Sequence, residues 1–249
     1  MKEGFVLRKR KVYPLSREER EEVHKFIKKQ LRKGYIRPSK SSQMAPVFFI
    51  GKKDGKKRMV QDYWYLNEWT VKNNYPPPFI SDIIKNIGNK KVFTKMDLRW
   101  RYNNIRIDEG DGWKAAFTTL EGSFELTVMF FGLTNSPATF QTMMNELLRD
   151  LINTGKVAAF IDNIIVGTED KKGHDKLVTE VVKKLGENNL YVKPEKYKWK
   201  VREVGFLGVV IRLEGIKMEE KKVKGVLDWL TLKYVKNIQK FLRLANYYH

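Results

Sequence analysis

The sequence predicts an α+β fold in which short β-hairpins alternate with amphipathic helices. Strand-like runs of β-branched and aromatic residues are interleaved with runs whose apolar residues recur three or four positions apart. The chain shows no internal repeat and no low-complexity stretch. Since 42% of its 249 residues are hydrophobic, it can bury a sizeable core in one large domain or two smaller ones.

The first predicted element is an amphipathic helix that begins after Ser16. Ser16 and Glu19 match the capping-box pattern, in which each side chain accepts a hydrogen bond from a free amide at the helix start. Apolar residues recur at helical spacing from Val23 to Leu31, and Gly34 ends the pattern. The opposite face is almost entirely charged, which predicts that it faces solvent.

Residues 45–63 predict a β-hairpin whose turn is Asp54-Gly55, a favoured pair for a tight turn. Five cationic side chains crowd the tip of this hairpin: Lys52, Lys53, Lys56, Lys57 and Arg58. A charge cluster at a hairpin tip is usually just solvated. On a finger flanked by apolar strands, five cations could also grip phosphate groups through charge and forked hydrogen bonds.

The remaining elements follow from the same periodicities and from turn residues. In chain order we predict an extended linker over 75–78, a short helix over Ile80–Ile87, a strand that ends at Asp97, a hairpin with strands 113–119 and 123–129, a helix from Ser136 and Pro137 to Leu151, a hairpin within 157–168, a helix over about 171–188, strands over about 190–200 and 205–211, and helices over about 219–229 and 235–248. The methionines of the helix after Ser136 share its apolar spacing, so we assign them to the core.

Two acidic residues stand out because each interrupts strand-like apolar runs. Asp97 ends one run, and Asp162 lies between two others beside Asn163, where an Asp-Asn pair favours the bend of a hairpin. Phosphoryl transferases use carboxylates from separate strands to hold two divalent ions roughly 4 Å apart. The alternative is that Asp162 and Asn163 only form an Asx turn.

The charge composition narrows the class of partner. The 49 Lys and Arg against 29 Asp and Glu give a formal charge of +20, spread from end to end, which favours a polyanionic partner over a merely soluble basic surface. The absence of cysteine excludes disulfides, thiolate metal sites and a catalytic thiol. No apolar stretch approaches the ~20 residues that span a bilayer, so we expect an intracellular protein, cytoplasmic or nuclear, without a membrane partner.

A set of ordered motifs identifies a family that the chain resembles. The motifs are YIRPS (35–39), APVFFIGKKDGKKRMVQDY (45–63), KMDLRW (95–100), FGLTNSPATFQ (131–141), FIDN (160–163), YVKPEK (191–196), FLGVVI (206–211) and NYY (246–248). From about Tyr13 to its end, the sequence resembles the reverse transcriptase domain of the Pol polyprotein of gypsy-type LTR retrotransposons. Any one motif is weak, but their order and spacing are specific.

The resemblance implies a right-hand polymerase fold with fingers, a palm and the start of a thumb. It implies a basic segment at 1–12, mainly fingers over 13–92, mainly palm over 93–212 with the catalytic hairpin at 157–168, and a truncated thumb over 213–249. The implied partners are an RNA or DNA template with its primer and deoxynucleoside triphosphates. The implied cofactor is a pair of Mg²⁺ ions, for which Mn²⁺ can substitute.

The same resemblance implies roles for particular residues. Asp97, Asp162 and the backbone carbonyl of Leu98 match the metal site, in which Asn163 stands where the family has a third aspartate. The residues that match the nucleotide site are Lys52, Arg58, Tyr102, Phe131, Gly132 and Pro137, with Tyr102 as the steric gate against ribonucleotides. The residues that match the primer and template site are Phe206, Leu207 and Gly208.

The departures from the family pattern predict impaired activity. They are Asn163 and Arg243 together with Arg101, Trp64, Tyr197, Leu230, Leu232 and His249, and each can arise by one G-to-A or C-to-T transition. Pro77, where the family often has leucine, is an exception because it needs the opposite transition. Arg101 replaces a glycine before the gate tyrosine, and it is strained if the backbone there needs positive φ. The alternatives are a non-catalytic nucleic-acid-binding remnant and the product of a decayed element with no role.

Overall fold

The computed structural model describes residues 1–9, 11–51, 55, 57–227 and 234–248, in which strands and helices alternate as the sequence predicts. The helices are α1 (Arg17–Arg32), α2 (Trp64–Trp69), α3 (Ile80–Ile87), α4 (Ser136–Leu147), α5 (Arg149–Ile152), α6 (Lys171–Glu187), α7 (Glu220–Leu227) and α8 (Val235–Tyr248). The strands are β1 (Ile36–Pro38), β2 (Ala45–Gly51), β3 (Lys57–Gln61), β4 (Val92–Asp97), β5 (Phe117–Thr119), β6 (Gly122–Leu126), β7 (Val157–Phe160), β8 (Asn163–Thr168), β9 (Lys198–Val201), β10 (Glu203–Phe206), β11 (Val209–Arg212) and β12 (Gly215–Met218). Short 3₁₀ helices occupy Arg101–Asn104, Gly112–Ala115 and Pro194–Lys196.

The chain divides into two compact units, one of Met1–Pro77 with Arg99–Leu147 and the other of Pro78–Leu98 with Leu148–His249. These boundaries fall elsewhere than the implied subdomain boundaries at 92/93 and 212/213. The assignment of fingers, palm and thumb therefore stays a prediction. Within the described residues, no helix is both long and apolar enough to cross a membrane.

The first unit is built on a five-stranded sheet in the order β1-β6-β5-β2-β3. Its pairs are antiparallel except β2 with β5. Helix α1 carries the predicted capping box, since the Ser16 hydroxyl accepts from the Glu19 amide and the Glu19 carboxylate accepts from the Ser16 amide. Val23 and Ile27 of this helix join a buried cluster with Val47 and Phe117 of the sheet, and this burial provides most of the stabilisation that a single helix lacks.

The second unit contains a four-stranded sheet, β7-β8-β4-β9, and a three-stranded sheet, β10-β11-β12. The strands of each sheet pair antiparallel. Phe93 of β4, Ile165 of β8 and Phe206 of β10 are fully buried in one cluster with Ile87 of α3. This packing fixes β4 and β8, the two strands that carry the acidic residues singled out above.

A buried histidine ties α6 to the four-stranded sheet. His174 lies between two threonine hydroxyls, with Nε2 2.7 Å from Thr94 Oγ1 and Nδ1 2.8 Å from Thr168 Oγ1. Burial lowers the pKa of His174 below its usual 6.5, and the nearby Lys200 lowers it further, although Asp175 and Asp170 oppose the shift. The sequence indicated only that this residue stands near a helix start.

Two predicted elements differ from the structure. The hairpin expected over 113–129 is shorter, because Gly112–Ala115 forms a 3₁₀ turn before β5 begins. The helix expected from Ser136 to Leu151 is interrupted at Leu148, whose backbone (φ −104°, ψ 13°) leaves the helical region between α4 and α5. Met144 and Leu148 are fully buried, so the assignment of this helix's apolar stripe to the core is confirmed.

The strands predicted over 190–200 and 205–211 were wrong in extent. Pro194 cannot donate to a strand ladder, and residues 194–196 form a 3₁₀ helix, so only β9 remains of the first strand. Leu207 and Gly208 have φ of 49° and 88° and form a turn, which makes β10 and β11 a hairpin. The next strand, β12, was not predicted, and the end of the 219–229 helix lies outside the described residues.

Candidate active site

Two buried carboxylates lie at one end of the four-stranded sheet of the second unit, Asp97 at the end of β4 and Asp162 in the turn before β8. Strands β4 and β8 pair so that Asp97 lies opposite Asn163, and the Leu98 amide donates to the Asp162 carbonyl at 2.8 Å. Asp97 is 5% exposed and Asp162 is 2% exposed. Buried carboxylates need a cationic or hydrogen-bonding partner, so this edge of the sheet is a site for positive charge.

The hairpin that carries Asp162 turns one residue earlier than the sequence predicted. Phe160 pairs with Asn163, so Ile161 and Asp162 form the two-residue turn and Asn163 already belongs to β8. Ile161 adopts φ 52°, a left-handed conformation that costs a β-branched residue of the order of 1–2 kcal/mol. The Asp-Asn preference for a bend was outweighed by the pairing of Asn163 with both β7 and β4, which holds it in the ladder.

Asn163 acts as a donor where the family pattern has a third carboxylate. Its Nδ2 donates to Asp162 Oδ1 at 3.3 Å. The Oδ1 atom of Asp97 is buried and has no hydrogen-bond partner, and Lys95 Nζ lies 3.9 Å from it. The site thus contains an unsatisfied anionic oxygen, which costs free energy unless a cation binds it.

Lysine side chains surround the two carboxylates. Lys196 Nζ lies 3.2 Å from Asp97 Oδ2, and Lys193 Nζ lies 3.9 Å from Asp162 Oδ2. With Lys95, three ammonium groups face two carboxylates. The sequence motif YVKPEK contains both Lys193 and Lys196, but nothing in its local pattern reveals that Lys196 reaches an acid about 100 positions away along the chain and Lys193 one about 30 positions away.

Backbone pairing delivers these lysines to the site. Leu98 forms an isolated antiparallel bridge with Val192, and the Lys193 amide donates to the Asp97 carbonyl at 2.8 Å. The 3₁₀ helix Pro194–Lys196 follows directly and turns the chain so that Lys196 also faces the acids. A continuous strand, as predicted, would have pointed alternate side chains to opposite faces of the sheet.

The oxygen ligands at this site suit a hard divalent cation, but one of the three expected carboxylates is missing. Mg²⁺ and Mn²⁺ prefer oxygen ligands, and Asp97, Asp162 and the Leu98 carbonyl can supply them. Among the residues that the structure describes, no group of three or more His, Cys, Asp or Glu could hold a metal ion. The site therefore offers two carboxylates for metal binding, with an amide in the third position.

The predicted gate residue lies in an aromatic cluster of the first unit. Tyr102 is 6% exposed, and its ring meets Phe131 edge-on at 4.9 Å and Phe140 at 6.0 Å between centroids. Gly132 has φ 99°, and its carbonyl accepts from Asn67 Nδ2 at 2.6 Å. Phe131 is 53% exposed, so the cluster presents one aromatic face to solvent beside a left-handed glycine.

Arg101 has the positive φ that would make a non-glycine residue strained. Trp100 and Arg101 have φ of 58° and 39° and are two consecutive left-handed residues at the start of the 3₁₀ helix Arg101–Asn104. The Arg101 guanidinium lies 5.6 Å from the Phe131 ring centroid and 5.8 Å from that of Tyr102. A cation thus covers the aromatic pair in this chain, and the strain expected at Arg101 is confirmed.

The remaining predicted site residues are divided between the units. Arg58 lies exposed on β3 opposite Ile50, and Pro137 is exposed in the first turn of α4. Lys52, the expected partner of Arg58, lies outside the described residues, as do Lys53, Asp54 and Lys56. In the second unit, Phe206 is fully buried at the end of β10, and Leu207 and Gly208 form the turn after it. The roles that the resemblance implies for these residues stay predictions.

Comparison with known proteins decides the family. The sequence profile described as reverse transcriptase (RNA-dependent DNA polymerase) matches residues 50–211, which is more than half of the chain and includes every predicted site residue from Lys52 to Gly208. The chain belongs to this family. The resemblance of the sequence to retrotransposon reverse transcriptases is thereby confirmed, and the chain is an RNA-directed DNA polymerase domain by family.

Relatives of this reverse transcriptase domain are transposon polyproteins. It is 38% identical over 244 residues to the retrovirus-related Pol polyprotein from transposon opus of Drosophila melanogaster, covering 96% of this chain and 24% of the relative. It is 34% identical over 235 residues to the Tf2-7 polyprotein of Schizosaccharomyces pombe, covering 94% of this chain and 18% of the relative. The chain thus spans about a quarter or less of these relatives.

Solved structures of similar fold are foamy viral reverse transcriptases. The protease-reverse transcriptase in complex with RNA/DNA hybrid matches with a TM-score of 0.85 at 24% identity, over 98% of this chain and 33% of that one. A second foamy viral structure, in complex with double-stranded DNA, matches with a TM-score of 0.87 at 25% identity, over 98% of this chain and 42% of that one. The prediction of an α+β right-hand polymerase fold is confirmed.

Proposed function

We propose that this reverse transcriptase domain adds deoxynucleotides to a primer 3′-hydroxyl on an RNA or DNA template, and that Asn163 impairs this activity. The observation that carries the proposal is the pair of buried carboxylates at one end of a sheet, Asp97 at the end of β4 and Asp162 in the turn before β8. The fold neighbours bound to RNA/DNA hybrid and to double-stranded DNA support a primer–template as partner. The formal charge of +20 favours contact with phosphates along such a duplex.

In this proposal Asp97, Asp162 and the Leu98 carbonyl hold divalent ions, Mg²⁺ or Mn²⁺. When bound, these ions lower the pKa of the primer hydroxyl and neutralise charge that develops on the triphosphate. The protein's own residues position the reactants. Arg58 pairs with the triphosphate, and the Tyr102 ring fills the space that a ribose 2′-hydroxyl would need.

The pairing of β4 with β8 matters for this chemistry because it fixes the ligands before substrate binds. Asp97 lies opposite Asn163 in the ladder, and the Leu98 amide is tied to the Asp162 carbonyl. Preorganised ligands contribute most to transition-state stabilisation, since they need no reorganisation during reaction. The turn of Leu207 and Gly208 after Phe206 supports the primer end in the same proposal.

The impairment follows from the lost charge at position 163. One unit-charge interaction at 4 Å is worth about 4 kcal/mol at an effective dielectric of 20. A loss of this size in the transition state lowers the rate by roughly a thousandfold. Asn163 also donates to the Asp162 carboxylate at 3.3 Å, so one metal-ligating oxygen is shared with an amide N–H.

Primer extension tests the proposed function directly. We expect the Asn163→Asp variant to incorporate deoxynucleotides on a primed RNA template with Mg²⁺ or Mn²⁺, and the unaltered chain to do so far more slowly. Adding Asp162→Asn to that variant should abolish incorporation while leaving the fold intact by circular dichroism. Equal incorporation with and without Asp162 would refute the assignment of the metal site.

A second candidate function is a non-catalytic nucleic-acid-binding remnant. It is favoured by the amide at position 163 together with ammonium groups that already pair with the two carboxylates. This candidate predicts that neither the unaltered chain nor the Asn163→Asp variant extends a primer. Both would still bind a duplex, with affinity that falls steeply as the salt concentration rises.

A further inference from the structure

We propose that Lys193 and Lys196 are internal counter-ions of the carboxylate pair, and that a divalent ion binds Asp97 and Asp162 only by displacing them. The two lysines would then set the divalent-ion affinity of this chain. The proposal rests on the proposed function, in which these aspartates are metal ligands. It adds residues that control how readily the metal site loads.

The ammonium groups of the two lysines lie close to the two carboxylates. Lys196 Nζ is 3.2 Å from Asp97 Oδ2 and Lys193 Nζ is 3.9 Å from Asp162 Oδ2. Each lysine thus faces a different one of the two carboxylates that the proposed function assigns to divalent ions. A divalent ion and an ammonium group cannot share one oxygen at these distances without strong repulsion.

The second support is that the backbone holds the lysines in place. The Lys193 amide is bonded to the Asp97 carbonyl at 2.8 Å, and the Lys196 amide to the Lys193 carbonyl at 3.2 Å. The side chains differ in exposure, with 27% for Lys193 and 59% for Lys196. Lys196 can therefore swing into solvent at little cost, while Lys193 is displaced less readily.

The third support is the charge balance of the site. Among the described residues, the ammonium groups of Lys95, Lys193 and Lys196 lie within 4 Å of the two carboxylates, and these five groups together are net positive. A carboxylate at position 163 would make it neutral. With Asn163 in place, the positive charge of the three lysines is larger than the negative charge of the two carboxylates. The excess positive charge repels an incoming dication.

The fourth support is that the lysines leave the site incompletely satisfied. Asp97 Oδ1 remains buried without a hydrogen-bond partner, although the Asp97 side chain is only 7% exposed. A purely structural ion pair would be expected to satisfy such an oxygen. The arrangement fits a site whose counter-ions can be exchanged for an ion that contacts both carboxylates.

Titration of the full chain with Mn²⁺, followed by electron paramagnetic resonance without nucleotide or nucleic acid, tests the proposal. We expect Lys196→Met to tighten Mn²⁺ binding about three- to tenfold, and the double variant with Lys193→Met to tighten it further. Methionine keeps most of the apolar stem and removes the charge. Lys196→Arg should keep the affinity of the unaltered chain, because its guanidinium restores the charge.

Lys184 offers a matched control in the same unit. Its Nζ lies 3.3 Å from Asp150 Oδ2 and its side chain is 28% exposed, close to the 27% of Lys193, so Lys184→Met removes a lysine ion pair that does not involve Asp97 or Asp162. We expect this variant to bind Mn²⁺ like the unaltered chain. If Lys196→Met and Lys193→Met also leave the affinity unchanged or weaken it, the proposal is overturned.

A measurement on the unaltered chain avoids dependence on variant folding. Saturating Mn²⁺ should at least double the rate at which an amine-reactive reagent modifies Lys196, measured by peptide mass spectrometry, and should leave Lys184 unchanged. An unchanged Lys196 rate with Mn²⁺ bound would contradict displacement. If no variant binds Mn²⁺, Asn163→Asp included, the metal-ligand role in the proposed function fails as well, which distinguishes the two failures.

Discussion

At position 101 a glycine variant should be more stable than an alanine variant, which reverses the order of stability that the two residues usually give. Arg101 has φ 39°, a conformation that costs a residue with a Cβ of the order of 1–2 kcal/mol and glycine almost nothing. Glycine loses about 0.5–1 kcal/mol through its greater unfolded-state entropy. Both variants lose the same guanidinium contacts with Phe131 and Tyr102. We therefore expect Arg101→Gly to be more stable than Arg101→Ala by about 0.5–1 kcal/mol.

Urea unfolding of both variants measures this difference, and Lys176 supplies the control. Lys176 is exposed within α6, where helix propensity makes glycine less stable than alanine by about 1 kcal/mol. The glycine variant should thus be the more stable of the pair at position 101 and the less stable at position 176. If Arg101→Ala is as stable as Arg101→Gly or more so, the argument from left-handed strain is wrong.

Three further predictions concern acid stability, helix capping and sugar selection. Burial lowers the folded-state pKa of His174 below 6.5, so just below that pH the unfolded chain binds a proton that the folded chain does not. The stability contributed by His174 is therefore present above pH about 6.5 and falls as the pH drops below it. His174→Gln should flatten this part of a Tm–pH profile, and an unchanged profile would contradict the assignment. Ser16→Ala removes the cap of α1 and should cost about 1 kcal/mol in denaturant unfolding, whereas Ser16→Asp should cost little. In the Asn163→Asp background, Tyr102→Val should raise incorporation of ribonucleotides relative to deoxynucleotides, and an unaltered ratio would argue against a gate at Tyr102.

The parts of the fold that the sequence predicted are those fixed by local interactions. The capping box at Ser16 and the helix Ile80–Ile87 depend on residues within a few positions of each other, and both match the structure. The turn at Leu207 was missed because a leucine in the left-handed region carries no local turn signal. Its conformation is imposed by the pairing of β10 with β11, which the sequence pattern alone does not reveal.

The residues of the candidate site also differ in whether the local sequence reveals them. Asp97 and Asp162 were found because an acid that interrupts an apolar run is conspicuous in a sequence. Lys193 and Lys196 were not, since lysines are common in this chain and these two reach the acids only through the bridge of Leu98 with Val192. The assignment of the hairpin bend to Asp162 and Asn163 failed because Asn163 is held by two neighbouring strands.

In the proposed function, the two buried aspartates support polymerisation and Asn163 limits it. The most direct test is the single-turnover rate of one deoxynucleotide addition to a primed RNA template in Mg²⁺, compared between the unaltered chain and Asn163→Asp. We predict that the aspartate variant is faster by roughly a thousandfold. Equal rates for the two proteins would contradict the claim.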